Sequence, residues 1–396
     1  MVRKEKESEM KKTIILIALL VPALGFSQNF SDVLYQIEKN NKTLQALRSE
    51  TDAAAAAAHT GIALADPEVE LGYLWGTPKE QGNRVDINVT QTFDFPSVYI
   101  YRKRIADGTA GVLEHEYLES RRQILLEAET ACIESVYRNA LACVLYGCLA
   151  NALGIYDAWS KKEAAGDASS LEVRKASLNL LTARKAFDEN EIEREALSAQ
   201  LSRLNGGVEV SVGGTEFMPA SLPEDFEQWF SGIESPAVSA AAATAEVAQS
   251  EVKLQTAGWL PKFSVGYVSE RIAGTTLQGV GLGLSIPLWE NHGRVRAARA
   301  SAEAAEVRLA DSRLQFHDTL KTLWAKGQKL QKLVTDYNSA LESTHSLDLL
   351  HKALDAGEIS LLDYLVEQDI WIDALQESLS SQRDLQDIAA ELRSYE

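Results

Sequence analysis

Apolar and polar residues alternate strictly in a few short stretches of this chain and step by three and four almost everywhere else. Val85, Ile87, Val89, Phe93 and Phe95 alternate with Asp86, Asn88, Thr90, Thr92 and Asp94. In the second half Val280, Leu282, Leu284 and Ile286 alternate with Gly279, Gly281, Gly283 and Ser285. Period two with one apolar face marks an amphipathic strand. Shorter versions precede each, at Val69, Leu71, Tyr73 and Trp75 and at Phe263, Val265 and Tyr267. These patterns predict strands over 68–76, 84–95, 262–270 and 277–289.

The helical stretches are long because proline is missing from them: none lies between Pro96 and Pro219, and none follows Pro287. Ala302, Ala305, Leu309, Ser312, Phe316, Leu320, Leu323, Gly327, Leu330, Val334, Tyr337 and Leu341 form a sustained heptad seam. Ala128, Cys132, Val136, Ala140, Cys143 and Gly147 form a seam of smaller residues in the first half. Helices are expected over 31–65, 97–165, 169–204, 236–258, 293–356 and 360–392.

The two halves repeat each other. Pro67, Gly72 and Tyr73 occupy the same places in the first half as Pro261, Gly266 and Tyr267 in the second, with Ala46 and Ala54 matching Ala240 and Ala248 at the same offset. A second signature recurs where each long helix stops: Gly166, Asp167, Ser169, Leu171 and Glu172 match Gly357, Glu358, Ser360, Leu362 and Asp363. Glycine supplies a left-handed cap and serine opens the returning helix, so the chain reverses there. The organisation is a first repeat over 28–205, a linker over 206–235 rich in glycine and proline, and a second repeat over 236–396. Each repeat reads helix, strand, strand, long helix, helix.

At the N-terminus, Lys11 and Lys12 precede an apolar run and the small residues Gly25 and Ser27, which reads as a secretory signal peptide over 1–27. Met10 is an alternative start. The chain is exported on this reading, and beyond the signal no stretch of about 20 consecutive apolar residues would make a membrane-spanning helix. Membrane contact then falls to the strands, whose ends carry Tyr73, Trp75, Phe93, Phe95, Tyr99, Tyr267 and Trp289 as an aromatic girdle would. A soluble half-buried hairpin shows the same period two. The net charge of −18 argues against nucleic acid as a partner. Apolar residues make up 45% but aromatics only 7%, which favours helices packed through small side chains over a thick core.

No catalytic or cofactor-binding constellation appears. The six histidines are scattered, and His345 and His351 are spaced poorly for a shared metal, so no metal ligands are assigned. Cys132, Cys143 and Cys148, all in one helical run, read as small packing residues. Gly279, Gly281 and Gly283 alternate within a strand, which is not the strand, loop, helix context of a phosphate-binding motif.

The order of these features resembles the TolC-type outer-membrane efflux channels, the outer membrane factor family. The resemblance is carried by Asn41 to Leu44 and Ser235 to Val238 opening the Ala-rich helices and by the proline-started strands. It is carried also by the second strands running into Gln91–Pro96 and Ser285–Trp289, and by the duplicated turns. The Gln91–Pro96 segment is similar to the branch serving heavy-metal cation pumps. The resemblance implies a mainly α fold with a β-barrel part: a homotrimer sharing a twelve-stranded transmembrane barrel above a long helical periplasmic tunnel. Function follows as the outer-membrane exit duct of a tripartite efflux pump, carrying heavy-metal cations or drugs, not an enzyme. Its implied partners are a periplasmic adaptor, an inner-membrane pump and outer-membrane lipid. Gly166, Asp167, Ser169, Leu171, Gly357, Glu358, Ser360 and Leu362 are then the periplasmic tip where partners dock, with Glu172, Asp355 and Asp363 as aperture acids. The alternatives are a periplasmic coiled-coil adaptor, which would need long β domains around a single hairpin, and a structural envelope rod, which would need no strands.

Overall fold

The computed structural model describes residues 30–78, 81–289, 291–343 and 346–396. The signal-peptide segment 1–27 and His345 lie outside them. In chain order the elements are α1 Phe30–Asn40, α2 Lys42–Ala58, β1 Glu68–Leu74, β2 Arg84–Phe93, α3 Pro96–Ala165, α4 Ser170–Leu204, α5 Phe226–Phe230, α6 Pro236–Ala257, β3 Lys262–Ile272, β4 Thr275–Ser285, α7 Arg294–Ser343, α8 Ser346–Ala356 and α9 Leu361–Arg393. The 70 residues of α3 extend about 105 Å at the rise of an α-helix.

The boundaries differ from the expected ones where side chains intervene. The helix expected over 31–65 is two helices, because Asn41 leaves helical geometry and caps α2, accepting from Leu44 N at 2.9 Å. The same side chain, 3% exposed, donates to the Leu204 carbonyl at 2.8 Å and so ties α2 to the end of α4. The second helix stops at Ala58, ahead of Gly61 at φ +74°. β3 and β4 run closer together than the pattern implied, joined by Ala273 and Gly274 at φ +46° and +86°. Two positive φ values make a tight hairpin turn matched to strand twist, reached here without an Asn-Gly pair.

The strands form one antiparallel sheet in the order β1-β2-β3-β4, so the duplicated hairpins sit side by side with β1 and β4 at its edges. Nearest the sheet the helices follow one another as α2, α3, α6 and α7. Farther away the order is α4, α3, α9 and then α7 with α8. The molecule is thus a curved sector in which the first repeat supplies one flank (β1, α2, α4) and the second repeat the other (β4, α7, α8).

Small residues set the closeness of the helices. Ala128, Ala131 and Cys132 are buried against Ile37 of α1 and Leu201 and Leu204 of α4. In α7 every position of the heptad seam from Ala302 to Leu341 is buried or half-buried. The seam in α3 drifts. Ala128 to Ala140 are buried, but Cys143 and Gly147 are exposed, and Leu141, Leu145, Ala152 and Ile155 take over. A straight helix rotates against a strict heptad by about 20° per repeat, so the face that α3 turns to its neighbours shifts along its length; α9 lies beside it from Glu129, which pairs with Arg393 at 2.8 Å, to Asn151, which donates to Gln368 at 2.9 Å. The expectation for the cysteines therefore holds for Cys132, whose burial pushes the thiol pKa up to about 12, and in part for half-buried Cys148, but not for exposed Cys143. One eighteen-residue stretch within α3 also reaches a mean hydropathy of 1.4 with 28% of it buried, apolar enough by length and composition to cross a membrane. The criterion of consecutive apolar residues passed over it because its polar residues are uncharged and dispersed.

The linker is more organised than its glycines and prolines suggested. Phe226 of α5 is buried against Leu320, Ile388 and Leu392. Trp324 Nε1 donates to the Pro223 carbonyl at 2.8 Å, and Lys321 pairs with Glu227 at 2.9 Å. At its start, Asn139 Nδ2 donates to the carbonyls of Val212 and Gly214 at 3.1 Å. The segment is strapped across α3, α7 and α9 at mid-height.

Candidate functional site

Register decides what the sheet presents on each face. Val69 pairs with Val89, Val89 with Tyr267, and Tyr267 with Val280. The row above is Gln91, Val265 and Leu282, and above that Phe93, Phe263 and Leu284. The row below is Leu71, Ile87, Ser269 and Gln278. Since one step of register would invert every side chain, the alternation seen in each strand adds up to a single apolar face. Nothing among the described residues covers it: Leu71 is 73% exposed, Val280 77% and Leu282 83%. Val85 to Phe93 spans about 27 Å along β2, close to the apolar band of roughly 25 Å on an outer-membrane barrel. Aromatics bound the face, with Tyr73 edge-on to Trp75 at 5.4 Å at one end and Phe95 against Phe263 at 6.4 Å at the other.

The opposite face carries Glu68, Glu70, Asp86 and Glu270 together with the glycines. Asp86 and Glu270 are direct register partners, a like-charge pairing that is unfavourable by itself. Arg84 offsets it, with Nε 2.8 Å from Asp86 Oδ1 and 3.3 Å from Glu270 Oε1. Two of the glycines are there for room. A Cβ on Gly283 would meet the Ser264 side chain, and one on Gly266 would come within 2.8 Å of the Val89 carbonyl oxygen.

At the far end of the helices the two turns are built alike. Gly166 at φ +82° closes α3, donating to the Glu163 carbonyl at 2.9 Å while Asp167 N donates to Lys162 O at 2.8 Å. Gly357 at φ +75° closes α8 with the matching bonds to Leu354 O at 3.1 Å and from Glu358 N to Ala353 O at 2.9 Å. Then Ser169 and Ser360 each begin a capping box. Glu172 accepts from Ser169 N at 2.8 Å and from its Oγ at 2.9 Å. Asp363 accepts from Ser360 Oγ at 2.6 Å and from its N at 3.3 Å. The backbone bond from Ser169, then its hydroxyl, lower the Glu172 pKa below the usual carboxylate value.

Folding brings the turns together. Ile155, Trp159 and Ala176 of the first hairpin and Leu354, Leu361 and Tyr364 of the second share one buried cluster. Leu171 and Leu362, equivalent in the repeat, project at 62% and 51% exposure. Glu172 and Asp363 are occupied as capping acids, which leaves Asp167 and Glu358 as the turn acids whose carboxylates are not used in caps. The Asp355 side chain lies outside the described residues.

The remaining residues singled out by the sequence do not converge. Among the described residues no group of three His, Cys, Asp or Glu is arranged to hold a metal ion. His317 sits edge-on between Phe226 and Phe230 at 5.4 and 5.0 Å and pairs with Glu227 at 3.7 Å. His351 approaches Tyr364 Oη at 3.2 Å.

Residues 233–395 match the family model described as outer membrane efflux protein. Three solved structures share the fold over nearly the whole chain. The outer-membrane channel OprN superposes with a TM-score of 0.77 at 17% identity, covering 92% of this chain and 89% of its own. The CmeC outer membrane channel of Campylobacter jejuni gives 0.74 at 16%, covering 92% and 86%. The MtrE outer membrane channel of Neisseria gonorrhoeae, solved in an open state, gives 0.74 at 13%, covering 92% and 88%. No curated protein sequence matches the chain. The second repeat is thus similar to the outer membrane efflux protein family, and the chain as a whole shares the fold of these solved structures.

Proposed function

We infer that this chain, similar to outer membrane efflux proteins in its second half and to outer-membrane channels in its fold, is one sector of the exit duct of a tripartite efflux pump. The observation that carries this reading is the uncovered apolar face of the sheet, flanked by two unpaired strand edges. In lipid an open edge leaves backbone groups unsatisfied at several kcal/mol each, so copies must close the sheet on itself. Head-to-tail pairing of β4 with β1 of the next copy turns the sector into a ring. Three copies, the number the TolC-type resemblance implies, make a barrel of twelve strands. The acid-bearing face then lines the lumen, where four carboxylates against Arg84 and Lys262 in each copy favour passage of cations.

The same closure brings α4 beside α7 and α8 of the neighbour, and the helices enclose a tunnel about 100 Å long. Its far mouth is ringed by the paired turns. Gly166, Asp167, Ser169, Leu171, Gly357, Glu358, Ser360 and Leu362 form the surface on which a periplasmic adaptor and the inner-membrane pump engage. Glu172, Asp355 and Asp363 add negative charge to the aperture, the first and third from their places as helix caps. The chain's part is passive: it provides a lined passage, and the energy comes from the pump.

An adaptor or an envelope rod would leave the apolar face without an occupant. Fractionation separates these readings. A duct stays with the outer membrane in high salt and alkaline wash and is released by detergent as an oligomer. Release by salt as a monomer would refute the duct.

A further inference from the structure

Between the two hairpins, Cys143, Gly147, Cys148 and Asn151 of α3 face Gln368 and Trp371 of α9 across a cavity of about 480 Å³. That volume lies within the range of sites for drug-sized molecules, which are mostly apolar with a few placed polar groups. Two observations show how it is built. Gly147 stands in the middle of α3, where glycine costs about 1 kcal/mol relative to alanine, and a Cβ there would meet nothing within 4 Å. The cavity thus reaches the helix backbone.

The second observation is Gln368, which is 4% exposed. Its Oε1 accepts from Asn151 Nδ2 at 2.9 Å, and the same nitrogen donates to Tyr364 Oη at 2.9 Å. With Oε1 fixed by that network, Gln368 Nε2 is a donor of the cavity lining that the protein neither engages nor seals from solvent. A ligand carbonyl placed in the cavity accepts from it in place of water, a bond that strengthens once the apolar walls exclude solvent.

We propose that this cavity binds a flat, largely apolar molecule bearing one carbonyl group, with the carbonyl accepting from Gln368 Nε2 and the ring held between Trp371 and the Gly147 backbone. Asn151 lies about 22 Å of helix from the Gly166 turn, and α3 and α9 belong to different hairpins. An occupant therefore bridges the two hairpins close to the mouth and restrains their relative motion. This consequence rests on the duct reading; the binding itself does not.

The probe is 2-naphthamide, an apolar bicycle with one carboxamide. Saturable binding to the full protein in lipid nanodiscs, above that of empty nanodiscs, is measured by saturation-transfer NMR. Gly147→Leu fills the cavity from a helix that tolerates leucine better than glycine, and it abolishes binding while thermal unfolding is unchanged. Gln368→Leu keeps the shape, removes the donor and weakens binding by about tenfold, the loss of one hydrogen bond. Equal binding by wild type and Gly147→Leu overturns the proposal. A wild-type protein that conducts ions in planar bilayers but binds no 2-naphthamide overturns the cavity and leaves the duct standing. One that binds the probe but never conducts overturns the duct and leaves the cavity.

Discussion

Leu282→Arg tests the assignment of the two sheet faces most sharply when paired with Gly279→Arg, three residues away on the same strand and so on its other face. Leu282 pairs with Val265 and lies between the rows of Leu284 and Val280, well inside the apolar face. Gly279 points to the other face, and a Cβ there meets nothing within 4 Å. A guanidinium at the lipid midplane costs about 2 to 4 kcal/mol in one copy, so roughly 6 to 12 kcal/mol accumulates over three copies if the sites are independent. That rivals the whole folding stability of a typical domain, about 5 to 15 kcal/mol, whereas the same side chain in a water-filled lumen carries little penalty. The assay is the amount of heat-modifiable oligomer in the outer membrane on semi-native gels. Leu282→Arg is expected to leave little or none, and Gly279→Arg to assemble near the wild-type level. Equal assembly of the two, or the reverse order, refutes the face assignment.

Other outcomes follow from the helices. Gly357→Val places a β-branched residue at φ +75°, a conformation that disfavours it, and should reduce export in cells carrying the cognate pump while the oligomer assembles normally; full export would remove this turn from the mechanism. Ser360→Ala deletes one capping box and should lower stability by about 0.5 to 2 kcal/mol, read by thermal unfolding. Burial raises the Asp387 carboxyl to about 7 even though Arg383 opposes the shift. The folded state thus holds that proton more tightly than the unfolded state, so the group's contribution to stability declines as pH rises from about 4 to 7. Asp387→Asn should flatten that decline relative to wild type between about pH 4 and 7, and an unchanged slope would count against it. In the native protein, maleimide should label exposed Cys143 readily and spare Cys132, which is fully buried with its thiol pKa raised.

Much of this architecture is legible before any coordinates, because duplicated motifs and two different periods specify elements locally. Period two in β2 and β4, the heptad seam of α7 and the Gly-x-x-Ser-x-Leu-acid turns each depend only on nearby residues. What sequence periodicity could not supply were contacts across large separations. Asn41 divides the first helix because it bonds to Leu204, far along the chain. The linker is ordered by aromatic contacts to α7 and α9, and neither partner lies near it in sequence. The α3 seam failed beyond Ala140 because a straight helix drifts off a strict seven-residue repeat, which a heptad count within one segment does not register. The cavity at Gly147 follows from the same drift: a position that continues the small-residue seam on paper meets open space in the fold.

The central claim is that copies of this chain join head to tail into a closed ring, β4 of one against β1 of the next. With the native cysteines replaced by serine, Leu71→Cys on β1 and Leu282→Cys on β4 are bridged by a short bis-maleimide in intact outer membranes. The ring predicts that the double variant gives a cross-linked ladder ending at three copies and that neither single variant cross-links, since β1 meets only β4. Cross-linking by a single variant, or a ladder that stops at two, would contradict it.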